Sequence, residues 1–126
     1  MKPELIALKD ELFRRAPLEI PEIIRMEMIS GDRDPVLDRE EWENSPFRQP
    51  TDHYPSMNGH LVGCAFDAHW QDARGNWHWC GPKIARLAVS IGLRAGYYFS
   101  HSDPNHFDLG LDVILAEHKK QDKQEA

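Results

Sequence analysis

Cysteine is scarce: Cys64 and Cys80 are the only two in 126 residues. That excludes a disulfide scaffold, which needs several pairs, and fits a chain made in a reducing compartment. Long apolar runs are missing too. Nothing approaches the ~18 consecutive apolar residues of a membrane-spanning helix. The N-terminal stretch reaches Glu4, Asp10 and Glu11 before the apolar core of a secretory signal can form. The expectation is a protein synthesised in the cytoplasm with no direct membrane insertion. Positive charge is also short, with 15 Lys and Arg against 21 Asp and Glu, a net charge of −6. A nucleic-acid binder that works by broad phosphate neutralisation needs a basic face, so that class is set aside.

What is present is enough for one domain. Hydrophobic residues make up 40% of the chain, sufficient for a core and too many for a disordered segment. Residues 1–126 are read as a single domain, expected to be monomeric, with a charged tail from about residue 117. The acidic excess sits in residues 1–45. The histidines lie elsewhere: His53, His60, His69, His78, His101 and His106 share the middle of the chain with Trp70, Trp77 and Trp79.

Periodicity gives a coarse outline. Pro3 to Arg15 reads as a helix with Leu5, Leu8, Leu12 and Phe13 on one stripe, ended by Pro17 and Pro21. Ile23 to Ser30 reads as a strand with Ile24, Met26 and Met28 on one face. Residues 34–44 suit a short acidic helix, and 44–58 a long loop. His60 to His69 leaves that loop and enters a strand; Trp70 to Cys80 is a loop or hairpin tip. Pro82 to Ile91, closed by Gly92, is the clearest helix. Ala95 to Ser100 and His106 to Leu111 read as short strands, and 117–126 as a frayed helix or disordered tail. Strands and helices without a regular βαβ rhythm point to an α+β fold.

Two clusters carry possible chemistry. The first runs His60-Leu61-Val62-Gly63-Cys64-Ala65-Phe66-Asp67, and the second His101-Ser102-Asp103-Pro104-Asn105-His106. Together they offer imidazoles and carboxylates of the kind zinc accepts, three protein ligands leaving a fourth position for water. Gly63 and Ala65, on the face of Asp67, would let an ion or another piece of backbone come close. The plainer account makes each piece structural: His60 caps a loop, Asp67 pairs with an arginine, and Asp103-Pro104-Asn105 is a turn. A rival set of Cys64, His69, His78 and Cys80 has no recognisable zinc spacing, and two free cysteines are the simpler reading. Trp77 and Trp79 are read as core before aromatic wall. Of Tyr97 and Tyr98, one is expected to pack inward. His53, His69 and His78 are read as surface residues, and His118 as solvated.

The pattern H-x-x-G-x-A-x-D followed by D-x-x-H-F resembles the zinc peptidases of the D-alanyl-D-alanine carboxypeptidase type, relatives of the lysostaphin and hedgehog zinc domains, a group that includes the L-alanyl-D-glutamate endopeptidases of bacteriophages. The resemblance spans about residues 24–110. It implies an antiparallel sheet flanked by helices, with a zinc site on the sheet. It further implies zinc held by His60, Asp67 and His106, Asp103 as general base and His101 as a second active-site group. Ser30-Gly31-Asp32-Arg33 is similar to a family segment whose arginine, here Arg33, holds a substrate carboxylate. Asn58 stands where the family usually has serine.

The expected activity is therefore zinc-dependent hydrolysis of an amide bond in the stem peptide of bacterial peptidoglycan, of carboxypeptidase or endopeptidase type. The chain is most similar to a phage or prophage endolysin, reaching the wall after release. The alternatives are a zinc-stabilised binding module without catalysis and a small phage structural protein.

Overall fold

The computed structural model describes residues 1–32, 34, 39–40, 42–44 and 59–125. Among them, three helices and five short strands form an α+β fold. Helix α1 (Pro3–Glu19) and strand β1 (Arg25–Ser30) come first. A 3₁₀ turn (Gly59–Val62) leads into β2 (Ala65–Gln71), which turns back through β3 (Trp77–His78). Helix α2 (Pro82–Ile91), β4 (Arg94–Ala95), a second 3₁₀ turn (Gly96–Tyr98), β5 (His106–Asp108) and α3 (Leu111–Glu125) complete the order.

The sheet is antiparallel throughout, in the order β1-β2-β5-β4. Strand β2 is its axis. One edge pairs with β1; the other pairs with β5 at Ala65–Asp67 and with β3 at Trp70–Gln71. Side-chain alternation then separates two faces. Phe66 and Ala68 of β2 and Phe107 of β5 point into the main core, with Met26 of β1, and meet Leu5, Leu12 and Ala16 of α1 and Ile84, Ala85 and Ala88 of α2. The Phe66 and Phe107 rings stack at 5.4 Å, and Phe13 meets Phe66 edge-on at 6.1 Å. The other residues of the same strands, Asp67, His106 and Asp108, are thereby turned to the opposite face. On that side Val62, Cys64 and Ile114 form a second small cluster, tying α3 to the first 3₁₀ turn.

Several boundaries differ from the sequence reading. Helix α1 runs through Pro17 to Glu19, because Ala16 and Ile20 still have core to bury against. Of the three residues expected on one face of the first strand, Met26 of β1 is buried, while Met28 of β1 and Ile24, which precedes the strand, are exposed at 41% and 53%. The stretch from Ala95 is a strand for one residue only before the second 3₁₀ turn, and β5 stops at Asp108 because Gly110, at φ 105°, breaks the strand before α3. The tail is helical through Glu125. Lys2 pairs with its Glu117 at 2.9 Å, and His118 is buried rather than solvated. Trp77 and Trp79 are exposed, so neither is core. Tyr97 packs against the core and Tyr98 faces out, as expected. Cys64 and Cys80 are free and buried, and burial pushes the Cys80 thiol up to about 12. Of the expected acidic helix, residues 39–40 and 42–43 are helical, and the remainder, with the long loop and His53, lies outside the described residues.

Candidate metal centre

The centre is built on the register of three strands. Asp67 sits mid-sheet, with Ser30 of β1 opposite it on one side and His106 of β5 on the other. A bulge between Met28 and Ser30 brings Ser30 into that position. Its hydroxyl donates to Asp67 Oδ2 at 2.9 Å. The third residue, His60, arrives from the 3₁₀ turn rather than from a strand. Gly59 and Ala65 allow that turn to lie close: a Cβ on Gly59 would come within 3.1 Å of the Ala65 methyl and 2.9 Å of Ile114 Cδ1. Gly63 reverses the chain at φ 72° instead of joining the strand. Of the motif's small residues, Gly63 lies against backbone, where a Cβ would meet Lys2 N and Met1 Cα at 3.4 Å.

His60, Asp67 and His106 form a group able to hold a metal ion: one ligand atom from each lies within 4.8 Å of the other two. Among the described residues this group alone meets that condition, so the Cys64, His69, His78 and Cys80 set is not assembled. His69 instead stacks on Trp77, and His78 stacks on Trp70 and bonds Asp72 at 2.7 Å.

The ring nitrogens are already sorted. His60 Nδ1 donates to the Gly31 carbonyl at 2.8 Å, which leaves Nε2 facing Asp67 Oδ2 at 3.5 Å. His106 Nε2 donates to Asp108 Oδ2 at 2.7 Å, which leaves Nδ1 facing Asp67 Oδ1 at 3.6 Å. Ligands ~2.0–2.1 Å from a tetrahedral zinc lie ~3.3 Å apart, so the donors present, two imidazole nitrogens and a carboxylate, fit zinc in type and spacing. The orienting of each imidazole by a bond at its far nitrogen is the usual outer shell of such sites. Ser30 and Gly31 therefore serve the centre directly, a role that the sequence reading did not assign them.

Electrostatics follow from burial and pairing. Burial opposes the charge on Asp67, but the adjacent His106 and His60 rings and the Ser30 hydrogen bond prevail and hold its carboxyl well below the usual range. Burial likewise opposes charge on His106, yet Asp108 and Asp67 outweigh it and raise its pKa to about 9. Its ordinary value is 6.5. A group with a raised folded pKa stabilises the fold below its unfolded pKa and loses that contribution as pH rises through the folded one. The metal-free protein is therefore expected to lose melting temperature between pH 6.5 and about 9, and His106→Gln to flatten that slope. Zinc must displace the His106 proton, so the stabilisation by zinc should grow across the same window. Thermal melts with and without zinc check both signs; a metal-free melting temperature that rises with pH would contradict them.

The second cluster is held by its backbone. Asp103 N donates to Gly96 O at 2.9 Å and His106 N to Asp103 O at 3.1 Å, closing the turn before β5. Asn105 is structural: its side chain accepts from Cys80 N and its carbonyl from Ala68 N, both at 2.9 Å. Asp103 and His101 are exposed and stand outside the ligand group. Arg33 lies outside the described residues. Gly96, missed in the sequence, is a contact point beneath the turn: a Cβ there would sit 2.2 Å from Asp103 O and 2.9 Å from His106 Cβ. Gly96→Ala is expected to displace the turn, costing ~1–3 kcal/mol of stability and weakening metal binding. Unfolding and zinc titration of that variant check it.

No protein-family model matches the chain, and no curated protein sequence does. The fold is similar to that of the Serratia marcescens L-Ala D-Glu endopeptidase ChiX in its crystal structure, with a TM-score of 0.64 at 18% sequence identity, over 90% of this chain and 83% of that chain. The likeness is one of fold, and it extends across nearly the whole of this protein.

Proposed function

We propose that this protein is a zinc-dependent peptidase acting on the stem peptide of bacterial peptidoglycan. The observation that carries the reading is the His60–Asp67–His106 group, spaced for zinc, on a fold shared with an L-Ala D-Glu endopeptidase. His60 Nε2, an Asp67 oxygen and His106 Nδ1 are the atoms that would hold the ion. When bound, zinc supplies Lewis acidity towards a carbonyl and lowers the pKa of water from ~15.7 towards ~7.

The rest falls to the chain's own residues. The Asp103 carboxylate takes the proton of the attacking water and passes it to the leaving amine. The His101 imidazole donates a hydrogen bond to the oxyanion that develops on the carbonyl. The Arg33 guanidinium pairs with a carboxylate of the stem peptide through two parallel hydrogen bonds. Ser30 and Gly31 keep Asp67 and His60 aligned. The L-Ala–D-Glu bond is the first to test, with D-Ala-D-Ala second. The deciding experiment is zinc-loaded protein on isolated peptidoglycan, with the released ends identified by mass spectrometry. New amino-terminal D-Glu identifies an endopeptidase and free D-Ala a carboxypeptidase. Zinc binding without release of either would favour a binding module, and a purified protein with no affinity for zinc would sink the reading altogether.

A further inference from the structure

Asp108 is a fully buried carboxylate that the proposed chemistry leaves unused. Burying a charge is costly unless it is paired and hydrogen-bonded, so its partners are informative. His106, Arg94 and Gly110 all donate to it. Oδ2 accepts from His106 Nε2 and from Arg94 Nη2, both at 2.7 Å. Oδ1 accepts from Arg94 Nε and from the Gly110 N–H, both at 2.8 Å. Arg94 thus grips the carboxylate edge-on, with Nη2 on Oδ2 and Nε reaching both oxygens at 2.8 and 3.1 Å, from the register position directly opposite on β4. The Phe99 ring closes the group, 4.7 Å from the Arg94 guanidinium and 5.5 Å, centroid to centroid, from His106.

Strand alternation explains the arrangement. Asp108 lies two residues after His106 on β5 and so shares its face. Its carboxylate reaches back along the strand to the far side of the His106 ring, away from Asp67. A single-point contact would let the carboxylate rotate. The two-point grip of Arg94 prevents it, and the Gly110 N–H fixes the remaining edge.

We propose that Asp108, clamped by Arg94, is a positioning residue for the metal centre: it fixes the His106 ring so that Nδ1 is the nitrogen presented to the ion. This rests on the reading of His60, Asp67 and His106 as a metal site and not on the peptidase activity. Outer-shell carboxylates of this kind are worth ~10–100-fold in metal affinity.

The test is zinc affinity of the whole chain, by competition with a chromophoric chelator, for the wild type, Asp108→Asn, Arg94→Met and the double variant. The metal-free melting temperature of each is measured alongside. Asp108→Asn is expected to bind zinc ~10–100-fold more weakly. Arg94→Met should weaken it in the same direction. In the double variant Arg94→Met should add less than about 2-fold, because the arginine acts through Asp108 and coupled residues are non-additive. Full additivity would overturn the relay. Wild-type affinity in a folded Asp108→Asn protein, with only its melting temperature lowered, would reduce Asp108 to a structural ion pair. Arg94 is partly exposed, so Arg94→Met keeps the proposal testable if Asp108→Asn does not fold, and wild-type affinity in it would overturn the clamp. No substrate enters these measurements, so failure to digest peptidoglycan would count against the function and not against this assignment.

Discussion

Asp103→Asn is expected to yield a folded, zinc-loaded protein that has lost most of its hydrolytic activity. Asparagine keeps the size of the side chain and suits the same turn, and the backbone bonds that hold the turn, Asp103 N to Gly96 O and His106 N to Asp103 O, do not involve the carboxylate. Asp103 is outside the ligand group, so zinc content should be preserved. What the substitution removes is basicity, and a general base is worth ~10²–10⁴-fold in rate. The measurement is kcat/KM on a soluble stem-peptide substrate, with bound zinc quantified in the same sample. A zinc-loaded variant that digests peptidoglycan at the wild-type rate would leave Asp103 as a turn residue and remove the main reason for preferring an enzyme to a binding module.

His106→Ala should abolish tight zinc binding and, with it, all metal-dependent stabilisation. The ring is the only donor that β5 contributes to the group, and two donors from His60 and Asp67 do not make a site for zinc, which takes at least three protein ligands in such centres. The variant also strips Asp108 of a hydrogen-bond partner and Asp67 of an ionic one. The metal-free protein is therefore expected to melt lower than wild type, and the absolute melting temperature is a poor reporter of the metal. The zinc-induced shift is the better one, since a ligand that binds only the folded state raises stability by about 4 kcal/mol at 1,000 times its Kd. That shift should vanish in His106→Ala. A wild-type shift with one zinc per chain would place the ion elsewhere.

The alternation of Phe66 and Asp67 on β2, and of His106, Phe107 and Asp108 on β5, shows how packing and chemistry are coupled here. The same period of two that sends Phe66 and Phe107 into the main core turns Asp67, His106 and Asp108 to the other face. A one-residue slip in register would exchange the two sets. The stacked Phe66–Phe107 pair thus holds the register that keeps His106 opposite Asp67.

Much of the centre was legible in one dimension, because the chemistry demands particular side chains and the motifs place them at fixed spacing. His60, Asp67 and His106 were singled out from two short segments through a family resemblance, and the fold brings them together; the α+β class followed from mixed periodicities. Helix α2 was readable from its apolar stripe, Pro82 and Gly92. Other features depended on what lies across space. The helix beyond Pro17, the buried His118 and the exposed Trp77 and Trp79 all turn on which surfaces remain uncovered after packing, which local pattern does not encode. The clamp of Arg94 on Asp108, the bond from His60 to the Gly31 carbonyl and the close seat of Gly96 beneath Asp103 join residues that are distant in sequence or carry no motif. The first and third exist only once β4 has paired with β5, and the second once β1 has paired with β2 and brought Gly31 to the His60 turn; each alignment is a property of the folded sheet.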